Sequence, residues 1–325
     1  MALHLEDKWV WDFWHVEAKG DHHLFYLQAS RALGDPELRH RNVSIGHAVS
    51  GDLTLWRVLP DALARGLPGR WDDSSTWTGS VVEHGGRWCM LYTGTSTVED
   101  GLVQRIGLAT SDDLIRWERQ ADRPVLESDS EWYEQLDLEA WHDQAWRDPW
   151  VWHEPTDGAF HAYVTARAHS GDPAGRGVIG HARSRDLESW EVLPPVTEPM
   201  GFGQMEVPQL VDLGSRSHLL FCGELVRRAQ PSLTGTFHLS SERADGPFAA
   251  ETMEVLEADT IGRSYAGKLI ETSWGLQFLA WERGLEPGVF AGTVSDPRPV
   301  LLAADGSVLL GGSVEHDLAI ARVNV

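Results

Sequence analysis

The chain has 325 residues, 42% of them apolar and 23% charged, enough to bury a sizeable core in one large domain or two ordinary ones. Its 27 basic against 49 acidic side chains leave a formal net charge of −22, which argues against nucleic acid and anionic membrane surfaces as partners. Cys89 and Cys222 each sit in an apolar run and read as reduced core residues, and no run is long enough to span a membrane. The opening "MALHLEDKWVWDFW" has no basic region followed by an apolar stretch, so the expected location is cytoplasmic.

The first predicted strand is "WVWDFWHV", which sets Asp12 among indole rings. It is followed by "LFYLQAS" and then by "IGHAVSGDLTLW", Ile45 to Trp56. The last pattern returns as "IGLATSDDLIRW" from Ile106 and "IGHARSRDLESW" from Ile179, spacings of 61 and 73 residues. Each copy follows an aromatic strand, "LFYLQAS", "CMLYTGT" or "FHAYVTA", and two degenerate copies follow, "SHLLFCGE…GTFHLSSERADGPF" and "GLQFLAWER…GVFAGTVSDP". Short Val-, Leu- and aromatic-rich runs between polar clusters indicate an all-β chain. The period suits a four-stranded blade, so five units predict a five-bladed β-propeller, residues 1–325 as one catalytic domain without a linker. In each copy the Asp-Leu pair predicts a tight turn held by the Asp side chain, with Trp56, Trp117 and Trp190 packing back on the blade.

Propeller chemistry belongs at the end of the central channel, where innermost strands deliver residues that do not repeat. Three acids meet that description: Asp12, Asp148 in "QAWRDPWVW" and Glu206 in "GFGQMEVPQLVDL". Each precedes or enters a β run beside apolar neighbours, and each falls in a different unit. Any one alone reads equally well as a turn or strand-end carboxylate; three together point to acid/base chemistry. The fifteen histidines and two cysteines show no metal-ligand spacing, so no metal and no cofactor are expected.

These segments resemble glycoside hydrolase family 32, the invertase, inulinase and levanase family. The likeness is carried in order by "DKWVWDFWHVEAKGDHHLFYLQ", "IGHAVSGDLTLW", "STWTGSVV", the Arg-Asp-Pro of "WRDPWVW", "MEVPQLVDL" and "RSYAGKLIE". Two features depart from it. The Trp11-Asp12-Phe13-Trp14 form is similar to family 68, the levansucrases, and Val207 stands where family 32 has a cysteine. Family 32 proteins also usually carry a C-terminal β-sandwich, and this chain ends soon after its fifth unit; a homodimer would cover the flank so exposed.

The resemblance implies cleavage of β-fructofuranosidic bonds in a small carbohydrate, sucrose or a fructo-oligosaccharide, with Asp12 as nucleophile, Glu206 as general acid/base and Asp148 as a hydroxyl-binding stabiliser. Arg147 is expected beside Asp148, and indole N–H groups of Trp11 or Trp14, or His15, as donors to Asp12. Trp14, Gln28, Trp77 and Tyr265 are expected around the sugar, with Asp259 also matching, Trp14 reading as core packing almost as readily and Gln28 as a strand-end residue. His142 is a weaker candidate for an outer subsite, and His22 and His23 read as solvent-facing turn residues. Three alternatives stay open: an inverting family 43-type arabinofuranosidase or xylosidase, a fructosyltransferase, and a non-catalytic sugar-binding propeller. Carboxylates about 5–5.5 Å apart mark retention and about 6.5–9.5 Å inversion.

Overall fold

Each Ile-Gly-x-Ala-x-Ser copy is the third strand of a four-stranded antiparallel sheet, and the turn that follows is built as its residues require. Asp52, Asp113 and Asp186 accept pairs of backbone N–H bonds at 2.8–2.9 Å, and their oxygens also take the repeat's serine hydroxyls, Ser50, Ser111 and Ser184. Leu53, Leu114 and Leu187 accept a left-handed backbone there, φ 60° to 65°, because burying each leucine compensates the strain. Trp117 and Trp190 donate their indole N–H to the carbonyls of Leu114 and Leu187, at 2.9 and 3.0 Å.

The computed structural model describes residues 3–227, 230–284, 290–303 and 306–311. It forms the expected five-bladed propeller. Blade I is Lys8–Ala18, Asp21–Ser30, Ser44–Ser50 and Arg57–Leu63; blade II is Ser75–His84, Arg87–Thr95, Gln104–Ser111 and Glu118–Arg119. Blade III is Trp146–Glu154, Ala159–Arg167, Gly177–Ser184 and Trp190–Leu193; blade IV is Glu206–Leu213, Arg216–Leu225, Leu233–Ser241 and Glu254–Asp259. Blade V is Ser264–Thr272, Gly275–Glu282, Arg298–Leu302 and Val308–Leu310, with Thr293–Val294 beside its second strand. The first strand of each blade faces the channel, and these five strands meet in sequence order around it.

Apolar packing lies in five wedges, one for each junction between neighbouring blades. Trp11, Phe25 and Leu27 meet Met90 and Tyr92 between blades I and II, Leu91 and Ile106 meet Trp146 and Val164 between II and III, and Tyr163 and Ile179 meet Phe221 and Phe237 between III and IV. Leu220 meets Leu269 and Phe278 between IV and V, and Val10, Phe13 and Leu24 meet Ile270 and Leu279 where the ring closes. Closure also takes hydrogen bonds from Val10 N to Gly292 O at 2.9 Å and from Arg31 Nη2 to Ala291 O at 2.7 Å. Both cysteines are free and buried, as expected, and among the described residues no helix is long and apolar enough to cross a membrane.

One repeated feature lies inside the blades. His23 meets His47 at 3.0 Å, His161 meets His181 at 2.8 Å and His218 meets His238 at 3.3 Å, across the second and third strands of blades I, III and IV. Blade II has Cys89 and Leu108 at the corresponding register positions. The expected exposure of His22 is not found: it is 3% exposed and bonds His15 at 2.9 Å, because the strand starts at Asp21 and turns it inward. Burial lowers His47 and His181 to about 3 and His218 to about 4. These folded values lie below the ordinary 6.5, so their stability contribution is complete above that pH and is lost as pH falls toward 4. Urea-unfolding free energy should therefore drop steeply through that window. Replacing His47 with leucine, the residue blade II has there, should lower the proton uptake on unfolding by about one; an unchanged slope would refute this account.

Candidate active site

All five innermost strands carry a register shift at the same height. It falls at Asp12 between Trp11 and Phe13, at Thr78 between Trp77 and Gly79, and at Asp148-Pro149, Val207-Pro208 and Ala266-Gly267 in blades III to V. A bulge re-aims side chains at a strand end, and five in a ring build one mouth. Asp148, Val207 and Ala266 hold left-handed φ values of 57°, 52° and 49° to make it. The residues just before the bulges are Trp11, Trp77, Arg147, Glu206 and Tyr265, so Glu206 stands one position earlier than Asp12 and Asp148 and not at a like position.

Each acid has its own partners. Asp12 accepts a 2.7 Å bond from the indole N–H of Trp281, the blade V residue paired with Tyr265; the expected donors are placed elsewhere. Its pKa is pushed up to about 7 by burial, then by Asp148 and Glu206, against the pull of Trp281 and Arg39. Asp148 is buried, its Oδ2 taking Thr165 Oγ1 at 2.8 Å and Val207 N at 3.2 Å, with Arg147 Nε at 3.5 Å. Burial raises its pKa, opposed by Arg147. Glu206 is a quarter exposed and receives short hydrogen bonds from Tyr265 Oη and Arg147 Nη2.

Arg147 lies beside Asp148 and also reaches Glu206, which was not anticipated, and a polar shell fixes it. Its guanidinium donates to Gln104 Oε1 at 3.1 Å and to Gln204 Oε1 at 2.7 Å, and Asp143 lies 3.7 Å away. Burial disfavours its charge, but Glu206, Asp148 and Asp143 outweigh that and raise its pKa above the ordinary value. Burial and the Glu206 charge likewise hold the Tyr265 phenol far above its usual range, so it stays a donor.

Of the other expected residues, Trp77 sits in the ring, partly exposed, its Nε1 donating to His40 O at 2.9 Å. Trp14 is 1% exposed and stacks on Phe25, rings 6.0 Å apart: it points into the wedge between blades, away from a sugar, because it lies beyond the bulge on the core-facing side. Gln28 is buried and bonds Ser44 at 3.1 Å and Asp61 at 2.7 Å, tying strands of blade I together and contacting none of the acids. Asp259 caps the loop before Tyr265 through the amides of Ile261 and Gly262, at 2.9 and 2.6 Å. His142 is largely exposed, next to Asp143. Trp281, Gln104, Gln204, Asp143 and Lys268 were not anticipated; only the degenerate repeat "GLQFLAWER" marks Trp281, and it marks packing. Among the described residues no group of three or more His, Cys, Asp or Glu is arranged to hold a metal.

Five blades thus bring three non-repeating acids together at one mouth of the channel. Residues 13–288 match the glycosyl hydrolases family 32 N-terminal domain, and the chain belongs to that family. It is 30% identical over 215 residues to a sucrose:sucrose 1-fructosyltransferase of Festuca arundinacea, covering 63% of this chain and 29% of that protein. It is 32% identical over 203 residues to the insoluble β-fructofuranosidase isoenzyme 7 of Oryza sativa subsp. indica, covering 61% and 30%. The chain thus spans less than a third of the length of these curated relatives. In fold it is similar to an inulosucrase from Halalkalicoccus jeotgali, TM-score 0.79 at 20% identity, over 98% of this chain and 90% of that one.

Trp281 makes the hydrogen bond that pulls the Asp12 pKa down against burial and the neighbouring carboxylates. Trp281→Phe removes the hydrogen bond and should raise the Asp12 pKa by about one unit, roughly 1.4 kcal/mol. Carboxyl carbon NMR of labelled aspartate reads this directly, and an unmoved titration would show that the bond does not act on the charge.

Proposed function

We propose that this chain is a glycosidase that hydrolyses β-fructofuranosidic bonds in sucrose or short fructo-oligosaccharides by retaining double displacement. The observation that carries the reading is the unequal partnering of the three acids. Asp12 has one neutral donor, which orients a carboxylate without quenching it, and this suits a nucleophile. Glu206 lies between a phenol and a guanidinium at the open rim, where it can meet a leaving oxygen and later a water. Asp148 is the most enclosed, its Oδ2 held by Thr165 and the Val207 amide; its other oxygen suits ring hydroxyls as the sugar carbon gains positive charge. Membership of family 32 and the β-fructofuranosidase relative support the same substrate class.

Proton traffic follows. Glu206 gives its proton to the departing oxygen while Asp12 attacks the anomeric carbon, and the resulting carboxylate then takes a proton from water as the ester opens. Attack needs ionised Asp12. Activity should therefore fall as pH drops below about 7, where Asp12 holds its proton. A fructosyl acceptor other than water would divert the same intermediate, and the fructosyltransferase relative supports examining that branch. A cytoplasmic setting and a single catalytic domain belong to this reading, supported by two free buried cysteines and five continuous blades.

Incubation with sucrose, 1-kestose, inulin and levan, followed by chromatography, should show fructose release, with proton NMR reporting the β anomer first. No release from any of them overturns the proposal. Glu206→Gln should lower kcat by about 10²–10⁴-fold and recover part of it on a substrate with an activated leaving group; equal losses on both would remove Glu206 from the acid role.

A further inference from the structure

Lys268 is a buried cation that these roles leave unused. It lies in the innermost strand of blade V, 3% exposed, immediately after the bulge at Ala266-Gly267. Its ammonium crosses to blade IV and donates to Val207 O at 2.6 Å and to Pro208 O at 3.1 Å. Those are the two carbonyls of the bulge that follows Glu206, where Val207 holds φ 52°. A β-branched residue rarely adopts that conformation unless neighbouring groups enforce it. Val207 is thus held on both sides, its N–H by Asp148 and Thr165 and its C=O by Lys268.

The surroundings of the ammonium explain its charge. Asp148 and Asp12 act on it from blades III and I, the Cys222 thiol from blade IV, and the Trp150 ring lies 5.9 Å away. Away from the acids it lines a cavity of about 760 Å³ whose titratable walls are His15, Glu17, Asp212 and Glu271. Burial lowers its pKa to about 8, with Cys222, Asp148 and Asp12 opposing, so it remains a cation at neutral pH.

We propose that Lys268 is a positioning residue for Glu206: by holding the carbonyls of Val207 and Pro208 it fixes the bulge that turns the Glu206 carboxylate toward Tyr265 and Arg147. Side chains alternate faces along a strand, so a bulge that relaxes by one residue swings its neighbour off the mouth. The ammonium has a second effect: its charge favours the ionised forms of Asp12 and Asp148, the two carboxylates that act on it. The assignment rests on the three-acid reading of the site.

The test compares Lys268→Met, which fills the channel without a donor, and Lys268→Gln, which keeps one, with the wild type on the best fructoside. In the methionine variant kcat should fall about 10–100-fold with KM within about threefold, since Glu206 acts in the chemistry and not in binding. The acid limb of its pH profile should move up by about half a unit or more, because two buried carboxylates have lost a cation. The glutamine variant should lie between the two in kcat and match the methionine variant in the acid limb, since both lack the charge. A purely structural role would lower the melting temperature and leave kcat per folded molecule and the acid limb in place; that result overturns the proposal. So does loss of the folded state in both variants, which would make Lys268 a folding residue. A crystal structure of the methionine variant reads the clamp independently of turnover, with Glu206 expected to leave Tyr265 and Arg147; an unmoved Glu206 is decisive against it. A wild type inactive on every fructoside would sink the functional reading and leave that structural readout intact.

Discussion

A propeller must join independent sheets into a ring, and here the joining contacts are also what aims the site. The bulges on the innermost strands are latched by groups from the blade before. Thr93 of blade II accepts the Asp148 amide at 3.0 Å, Thr165 of blade III accepts the Val207 amide at 3.2 Å, and Thr236 of blade IV accepts the Gly267 amide at 3.1 Å. Trp281 of blade V closes the circle by donating to Asp12 in blade I. Gly267 has to be glycine for this: a Cβ there would lie 2.5 Å from Thr236 Oγ1. Each latch fills a backbone or carboxylate group that the bulge leaves unpaired in a buried place, where an unmet hydrogen bond costs about 1–3 kcal/mol.

The same ring sets the electrostatics. Three carboxylates converge, with Arg147 against two of them and the Lys268 ammonium on the bulge that follows Glu206. The raised pKa of Asp12 comes first from burial and then from Asp148 and Glu206, with Trp281 and Arg39 only partly opposing. Between the ordinary 3.8 and about 7 the folded chain keeps a proton that the unfolded chain releases. Asp12 therefore stabilises at low pH and withdraws that contribution as pH rises through the window, on the order of 4 kcal/mol from three units at about 1.36 kcal/mol each. The histidine pairs act with the opposite sign over nearly the same range, favouring the fold as pH rises. Ionised Asp12 is thus destabilising to the fold, and the histidine pairs of the blades supply stability where its contribution is lost.

Much of this was legible in the chain. The Ile-Gly-x-Ala-x-Ser-x-Asp-Leu-x-x-Trp repeat specifies a strand and its turn through local hydrogen bonds, so its meaning survives without tertiary context. The acids stood out because they break the repeat. What could not be read is register. Glu206 and Asp148 look equivalent as acids at strand entrances, yet a shift of one residue separates them. Trp14 and Trp281 are both tryptophans in aromatic strands; only the bulge at Asp12 decides that the first enters a wedge and the second reaches the carboxylate. Gln28 fails for a like reason: its neighbour Leu27 is the residue paired at the bulge, and Gln28 therefore faces the outer strands.

One junction departs from the latch pattern. At the position held by Thr93, Thr165 and Trp281 in blades II, III and V, blade IV has Cys222, with Thr236 on the next strand making its latch, and blade I has Leu27, which has no side-chain donor to offer blade II. The blade II bulge is tied from inside its own sheet, Thr93 Oγ1 to Thr78 O at 2.9 Å, and Thr78 Oγ1 is buried without a partner. Blade II is also the one innermost strand whose bulge delivers neither an acid nor a left-handed residue, and the wedge beside it, between blades I and II, is aromatic. Hydrogen-bonded latches therefore coincide with strained or charged bulges, and apolar packing suffices where the bulge is neither. The latches are the cost of the site, not of the propeller, which is why they are invisible in the repeat that builds the fold.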